Sequence, residues 1–340
     1  MDEQALASCA RSLVSPGKGI LAADESLGTI KKRFEHVNVA STEESRRAYR
    51  EVLFTTRGIE AFIGGVILFD ETIRQATEAG VPFPKVLGEK GILPGIKVDE
   101  GTKELAGFPG EKVTEGLDGL RERLVEYRDL GARFAKWRAV ITIGSGIPTR
   151  VGLLENAHAL ARYAALCQDA DLVPIVEPEV LMDGEHDLAR CEVVTAEMLR
   201  HVFFELAEQR VLLEGILLKP NMVISGKACS RQASVERVAE ATVRTLRRAV
   251  PAAVPGIVFL SGGQTPVQAT EHLNAMNLLG PHPWELSFSY GRALQDPVLD
   301  AWRGEARNVT KAQKVFHHRA KCNGAARSGK YTRKMEEAAA

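Results

Sequence analysis

Lys219 closes an apolar run of strand length, Val211 to Leu218, and Pro220 follows it at once. Proline cannot donate to a sheet ladder, so it marks the strand's end and leaves the lysine where a buried strand opens into a loop. A lysine held among apolar side chains loses solvation of its charge, and its pKa falls. The free side chain titrates near 10.4, and each unit of depression increases the neutral amine at neutral pH about tenfold. A neutral amine can attack a ketone and form a Schiff base. Strand-end lysines more commonly snorkel to water, so the other charges in the chain must decide between the two readings.

Those charges recur at the ends of other apolar runs: Asp24, Asp70, Lys97 with Asp99, Glu177 with Glu179, and Ser289 with Arg292. Lys136 with Arg138 lies slightly earlier in its run. Three of these are pairs at i and i+2, and strand side chains alternate, so each pair shares a face. One such pair fits a solvated edge or a rim salt bridge. Several pairs together with Lys219 fit one shared polar cavity, because an isolated buried charge is costly. Asp70 has a simpler role open to it, capping the next helix, and is left out. Two anion cradles accompany the set. Ser261-Gly262-Gly263 precedes a helix, where backbone N–H groups and the helix dipole favour phosphate. Gly291 with Arg292 offers a backbone-plus-guanidinium site. Either alone reads equally as a glycine turn. Lys97, Lys136 and Arg138 can hold a further anion, and Arg33 and Arg46 lie near the first strand. An amine nucleophile, two carboxylates and two cradles suggest a bisphosphorylated carbonyl substrate.

The elements that must position these groups follow a βα cadence. Strands are expected at 19–24, 62–70, 93–99, 134–141, 172–181, 211–219, 256–263 and 284–292. Helices are expected at 2–14, 43–58, 71–79, 114–130, 156–170, 195–210 with Thr195 as cap, 234–249 and 265–276, with two more beyond. Eight units imply an α/β fold, a closed (β/α)₈ TIM barrel, with active groups at the strands' C-terminal ends. The barrel and its N-terminal helix take residues 1–320 as one domain, and a Lys/Arg/Gly-rich tail takes 321–340. No phosphate-binding G-x-x-x-x-G-K-[ST] is present, and Gly144-Ser145-Gly146 lacks the third glycine of a dinucleotide turn.

Composition narrows the partners. Of 340 residues, 44 are Lys or Arg and 44 are Asp or Glu, so no global field draws in nucleic acid or a membrane. The five cysteines are scattered without C-x-x-C, which fits reduced thiols in a cytoplasmic protein. No signal peptide is apparent, no apolar run approaches the roughly 20 residues of a membrane span, and Ala338-Ala339-Ala340 carries no targeting signal. Glu185-His186-Asp187 lacks the spacing of a zinc site and reads as a surface loop, so no metal or cofactor is expected.

The runs Gly19-Ile-Leu-Ala-Ala-Asp24-Glu-Ser26, Gly95-Ile-Lys97-Val-Asp99, Ala135-Lys136-Trp-Arg138, Val176-Glu177-Pro-Glu179, Leu217-Leu-Lys219-Pro-Asn-Met, Leu260-Ser261-Gly262-Gly263-Gln and Phe288-Ser289-Tyr-Gly291-Arg292-Ala-Leu-Gln stand in one order from residue 18 to about 331. In this the chain closely resembles class I, Schiff-base-forming fructose-bisphosphate aldolases. The resemblance implies reversible cleavage of fructose 1,6-bisphosphate to dihydroxyacetone phosphate and glyceraldehyde 3-phosphate. It implies Lys219 as nucleophile, Glu177 as main general acid/base, Glu179 as its assistant, and Asp24 and Lys136 beside the amine. Arg33, Arg46, Lys97, Arg138, Ser261, Gly262, Gly263, Ser289, Gly291 and Arg292 would hold the substrate. It further implies a homotetramer, with association with cytoskeletal filaments as a family trait. Fructose 1-phosphate and sedoheptulose 1,7-bisphosphate remain alternative substrates, and a scaffold without turnover remains a rival role. Two departures stand out. The family's terminal tyrosine has no counterpart after Tyr331, which puts enamine protonation in question, and the N-terminus looks several residues shorter.

Overall fold

The computed structural model describes residues 1–337; the Ala338-Ala339-Ala340 end named above lies outside them. Among the described residues ten strands form: β1 (Gly19–Ala23), β2 (Ile63–Leu68), β3 (Leu93–Lys97), β4 (Thr102–Glu104), β5 (Lys112–Thr114), β6 (Phe134–Ile141), β7 (Val173–Val180), β8 (Leu217–Leu218), β9 (Gly256–Phe259) and β10 (Glu285–Tyr290). Eight of them close into a barrel in the order β1-β10-β9-β8-β7-β6-β3-β2, every neighbouring pair parallel. Parallel neighbours need long crossovers, and helices supply them, so the fold is the expected (β/α)₈ barrel. β4 and β5 pair separately as an antiparallel hairpin.

Two apolar layers hold the barrel together. The outer one lies between strands and helices. The inner one combines Ile20, Ala22, Ile67, Phe134, Val173, Ile175, Leu217 and Val258 with Leu6, Ala10, Leu13 and Val14. The last four come from or adjoin the helix Glu3–Leu13, which plugs the N-terminal end. Its start is fixed by Asp2, whose carboxylate accepts from the Ala5 N–H at 3.0 Å. Phe134 fills the interior only because Gly95 faces it. A Cβ on Gly95 would stand 2.2 Å from the Phe134 ring.

Several boundaries differ from expectation, for local reasons. The helix expected from Thr195 runs Leu188–Glu208, capped by Asp187, and Thr195 is buried inside it. Only Asp70–Ile73 is helical within 71–79, and a separate helix, Phe83–Glu89, begins with proline at its first turn. The Thr114 helix starts later, at Leu120, because residues 112–114 pair into the hairpin. The run before Lys219 is less strand-like than its composition suggests, since Leu213–Gly215 forms a 3₁₀ turn. The helix Leu27–His36, unforeseen, carries Ile30 and Phe34 into the core at i and i+4. The boundary drawn at Lys321 falls inside the helix Val309–Ala326, where Cys322 and Asn323 are buried.

Candidate active site

Period-two alternation carries each strand from apolar filling to charge. Along β7, Val173 and Ile175 point inward and are followed by Glu177 and Glu179; along β6, Phe134 is followed by Lys136 and Arg138. Leu217 precedes Lys219 on β8, and Ile20 and Ala22 precede Asp24 on β1. All the charges therefore emerge at one end, the C-terminal mouth. The Lys219 N–H still donates to the Val176 carbonyl at 2.8 Å, and Pro220 then ends that ladder. Asn221 fixes the exit: it accepts from the Val180 N–H at 3.0 Å and donates to Thr195 Oγ1 at 3.1 Å.

At the mouth, Lys219 is only 4% exposed and Glu177 3%. Lys219 Nζ lies 3.2 Å from Glu177 Oε1. Lys136 Nζ lies 2.8 Å from Asp24, 3.5 Å from Glu177 Oε2 and 3.6 Å from Asp99, and Lys97 reaches Asp99 at 2.8 Å. Arg138 is paired with Glu179. Burial alone would favour neutral Lys136, but Asp24, Glu177 and Asp99 outweigh it and hold the ammonium well above its usual pKa. Burial would likewise raise Asp24, but Lys136, Lys219 and Lys97 keep its carboxyl well below the usual range. Glu177 Oε2 and the Ser289 hydroxyl are buried without a hydrogen-bonding protein partner. Such atoms are rare in a protein interior, and both residues border the same cavity here.

These groups line one cavity of about 1070 Å³. Asp24, Arg33, Lys97, Lys136, Arg138, Glu177, Glu179, Lys219, Ser261, Gly262, Ser289, Gly291 and Arg292 all border it. Gly262 and Gly263 adopt positive φ (+56° and +81°), which glycine takes without strain, and the turn leads to a helix capped by Thr265. Gly263 sits just behind the lining: a Cβ there would meet Lys227 at 3.0 Å and Arg292 at 3.3 Å. Arg33 approaches Gly291, so one basic pole gathers Arg33, Arg292 and both glycine turns. Lys97 ends β3, and Arg138 lies within β6, two residues beyond Lys136.

Arg46 does not join the cavity. Its guanidinium grips both oxygens of Glu71, at 2.7 and 2.5 Å. Arg50, one turn further along the same helix, is buried instead and holds Glu25 at 2.5 Å. Glu25 also pairs with Arg33 and accepts from Gln295 at 2.8 Å. Asp70 does not cap its helix; it accepts from Arg74 and from the Tyr127 hydroxyl at 3.0 Å. Sequence reasoning missed Glu25, Lys32 and Arg123 around the cavity. The first two were within reach, because Ser26 and the Ile30–Phe34 spacing mark the helix that adjoins them.

The class-I fructose-bisphosphate aldolase family model matches residues 5–340. The chain belongs to that family. A probable class 1 fructose-bisphosphate aldolase of Xanthomonas campestris is 60% identical, over 97% of this chain and 99% of the relative. The cytosolic fructose-bisphosphate aldolase 4 of Arabidopsis thaliana is 56% identical over 93% of this chain and 81% of its own length. The solved Plasmodium falciparum aldolase, in complex with TRAP and a small-molecule inhibitor, superposes with a TM-score of 0.96 at 53% identity, covering 97% of this chain and 96% of that one. This family member is thus a lyase, cleaving and re-forming a carbon–carbon bond of fructose 1,6-bisphosphate in glycolysis.

Proposed function

We propose that this aldolase works through a Schiff base on Lys219. The observation that carries the reading is the Lys219–Glu177 pair, 3.2 Å apart and buried at the mouth beside Lys136. Glu177 can take the ammonium proton, and the free amine then adds to the C2 ketone. Protonated Glu177 returns a proton to the carbinolamine hydroxyl, and water leaves. The iminium that remains is an electron sink. Glu177 next accepts the C4 hydroxyl proton, the C3–C4 bond breaks, and its electrons form the enamine as glyceraldehyde 3-phosphate departs. Protonation at C3 and hydrolysis release dihydroxyacetone phosphate and restore the amine.

The neighbours have separate tasks in this reading. Lys136 keeps positive charge beside Glu177, 3.5 Å from its Oε2. Asp24 anchors Lys136, and Glu179 holds Arg138. Ser261, Gly262, Gly263, Ser289, Gly291, Arg292 and Arg33 receive one phosphate, and Lys97 with Arg138 face the other. Tyr331 donates to Glu336 at 2.7 Å and does not border the cavity.

Borohydride reduction in the presence of fructose 1,6-bisphosphate tests the central step. A secondary amine at Lys219, found by peptide mass spectrometry, is expected; full labelling and turnover in Lys219→Ala would refute it. A cytoplasmic homotetramer belongs to the same proposal. One relative is named cytosolic, and no helix among the described residues is long and apolar enough to cross a membrane. Phe204 and Val193 stand exposed on the helix Leu188–Glu208, a face suited to association. Light scattering of the purified chain measures the assembly, and a monomer at micromolar concentration would overturn that part.

A further inference from the structure

Far from the mouth, three side chains of metal-ligand type converge. His318 and Cys322 are four residues apart on the helix Val309–Ala326, so they share one face. Glu336, from the short helix Lys334–Glu337, turns back onto that face. His318 Nε2 lies 3.5 Å from Cys322 Sγ and 3.7 Å from Glu336 Oε2, and the three donor atoms all lie within 4.8 Å of one another. Tetrahedral zinc, with bonds of about 2.3 Å to sulfur and about 2.0–2.2 Å to nitrogen and oxygen, places neighbouring ligands about 3.4–3.6 Å apart. The two measured edges already approach that spacing.

We propose that His318, Cys322 and Glu336 form a site for one borderline divalent cation of the zinc type, which fastens the C-terminal segment to the last barrel helix. The site is built beyond its three donors. Glu336 Oε1 accepts from the Tyr331 hydroxyl at 2.7 Å, and Oε2 accepts from Arg319 Nη1 at 2.5 Å. A carboxylate oxygen has a second lone pair, so Oε2 can bind the ion while keeping Arg319 as an outer partner. Arg319 is itself held by Thr270 Oγ1 at 2.8 Å and the Pro266 carbonyl at 3.2 Å. The His318 and Glu336 side chains are 16% and 24% exposed, which leaves the fourth position open to water.

Charge balance sets the expected strength. As the sulfur–metal bond forms, Cys322 releases its proton to solvent, and thiolate plus carboxylate cancel the ion's two charges. Arg319 then shares the Glu336 carboxylate, and Lys321 adds a nearby positive charge, so affinity should be lower than that of a closed four-ligand site. The sequence hid the cluster because Glu336 is 14 residues beyond Cys322 and lies in what reads as a tail.

Cobalt titration of the full chain tests the proposal, with Co²⁺ as the spectroscopic probe and Zn²⁺ as competitor. One equivalent of Co²⁺ should produce a thiolate-to-metal charge-transfer band and intense tetrahedral d–d bands, both removed by one equivalent of Zn²⁺. The charge-transfer band should vanish in Cys322→Ser, and affinity should fall at least about tenfold in His318→Asn and in Glu336→Gln. Glu336→Gln also weakens the pairing with the buried Arg319, whereas His318→Asn leaves that pair in place, so the two variants together separate loss of the site from loss of the ion pair. Zn²⁺ should also slow tryptic cleavage after Arg333 and Lys334 in the wild type alone. Absence of the sulfur band in the wild type, or its persistence in Cys322→Ser, would overturn the assignment.

Discussion

The two ends of the barrel interior are built on the same strands and do opposite work. At the N-terminal end, Phe134 and Val173 pack against Leu6 and Leu13 of the plugging helix. Two to six residues later on β6 and β7, Lys136, Arg138, Glu177 and Glu179 crowd the open mouth. Strand direction and alternation are common to both ends; what changes is the access to water. The plug excludes it, so apolar side chains gain by filling the space. The mouth admits it and the substrate, so paired charges can persist there. The inner apolar layer thus supplies the rigidity against which the charged layer is positioned.

That contrast breaks first, and most severely, at Glu177. Glu177→Gln keeps the shape but removes the carboxylate proposed to carry the proton, and kcat should fall about 10²–10⁴-fold. Thermal unfolding should move by only a few degrees, because the side chain remains packed beside Lys136 and Lys219. A collapse of the fold with normal turnover in the surviving fraction would show that the mouth, too, is mainly structural.

Phe134→Ala is the matching change at the other end. It deletes a fully buried ring and leaves a cavity beside Gly95, at a cost of about 3–5 kcal/mol. Denaturant unfolding should report that loss, while kcat of the folded fraction stays within about twofold. A large drop in kcat would mean that the inner layer sets the geometry of the mouth more tightly than a packed support need do.

How far these features were legible in the sequence follows from their range. Lys136–Arg138 and Glu177–Glu179 were readable because alternation along one strand is local. The barrel was readable because its cadence repeats eight times. Arg46 was misplaced because a helix face is decided by its neighbours: Arg50, one turn on, turns inward to Glu25, while Arg46 meets Glu71. Thr195 has the chemistry of a cap but serves Asn221 from inside a longer helix. The His318–Cys322 spacing was visible, yet its third member is recruited by tertiary folding alone. Glu25, between two arginines and Gln295, is another such case.

A subtler separation concerns the support of the Ser261 turn. Gln264 Nε2 donates to the Ser261 carbonyl at 2.9 Å, so its Oε1 must accept, and His272 Nδ1 meets it at 2.5 Å. His272 therefore carries its proton on Nδ1 when neutral. Burial pushes its pKa down to about 4, against an ordinary 6.5. A folded pKa below the unfolded one means the unfolded chain binds the extra proton first. Stability from this group is complete above pH 6.5 and is lost as pH falls toward 4, by at most about 3 kcal/mol. His272→Asn should flatten that part of the stability–pH curve without moving the pH profile of kcat, since the side chain lies behind the turn. An unchanged curve would place His272 in contact with water.

The smallest effect separates two arginines that the family resemblance treats alike. Arg33 borders the cavity beside Gly291, whereas Arg46 is spent on Glu71 outside it. Loss of a charged hydrogen bond to phosphate costs about 1.5–3 kcal/mol, so Arg33→Met should raise KM about 10–100-fold. Arg46→Met removes a peripheral ion pair worth about 0–1 kcal/mol, and KM should shift by less than about twofold. Steady-state kinetics on fructose 1,6-bisphosphate measure both. Equal rises in KM would mean that substrate draws Arg46 away from Glu71, in which case the mouth is reshaped on binding. A rise confined to Arg33 means that the basic pole is already assembled before substrate arrives, as the paired charges around Lys136 suggest for the rest of the mouth.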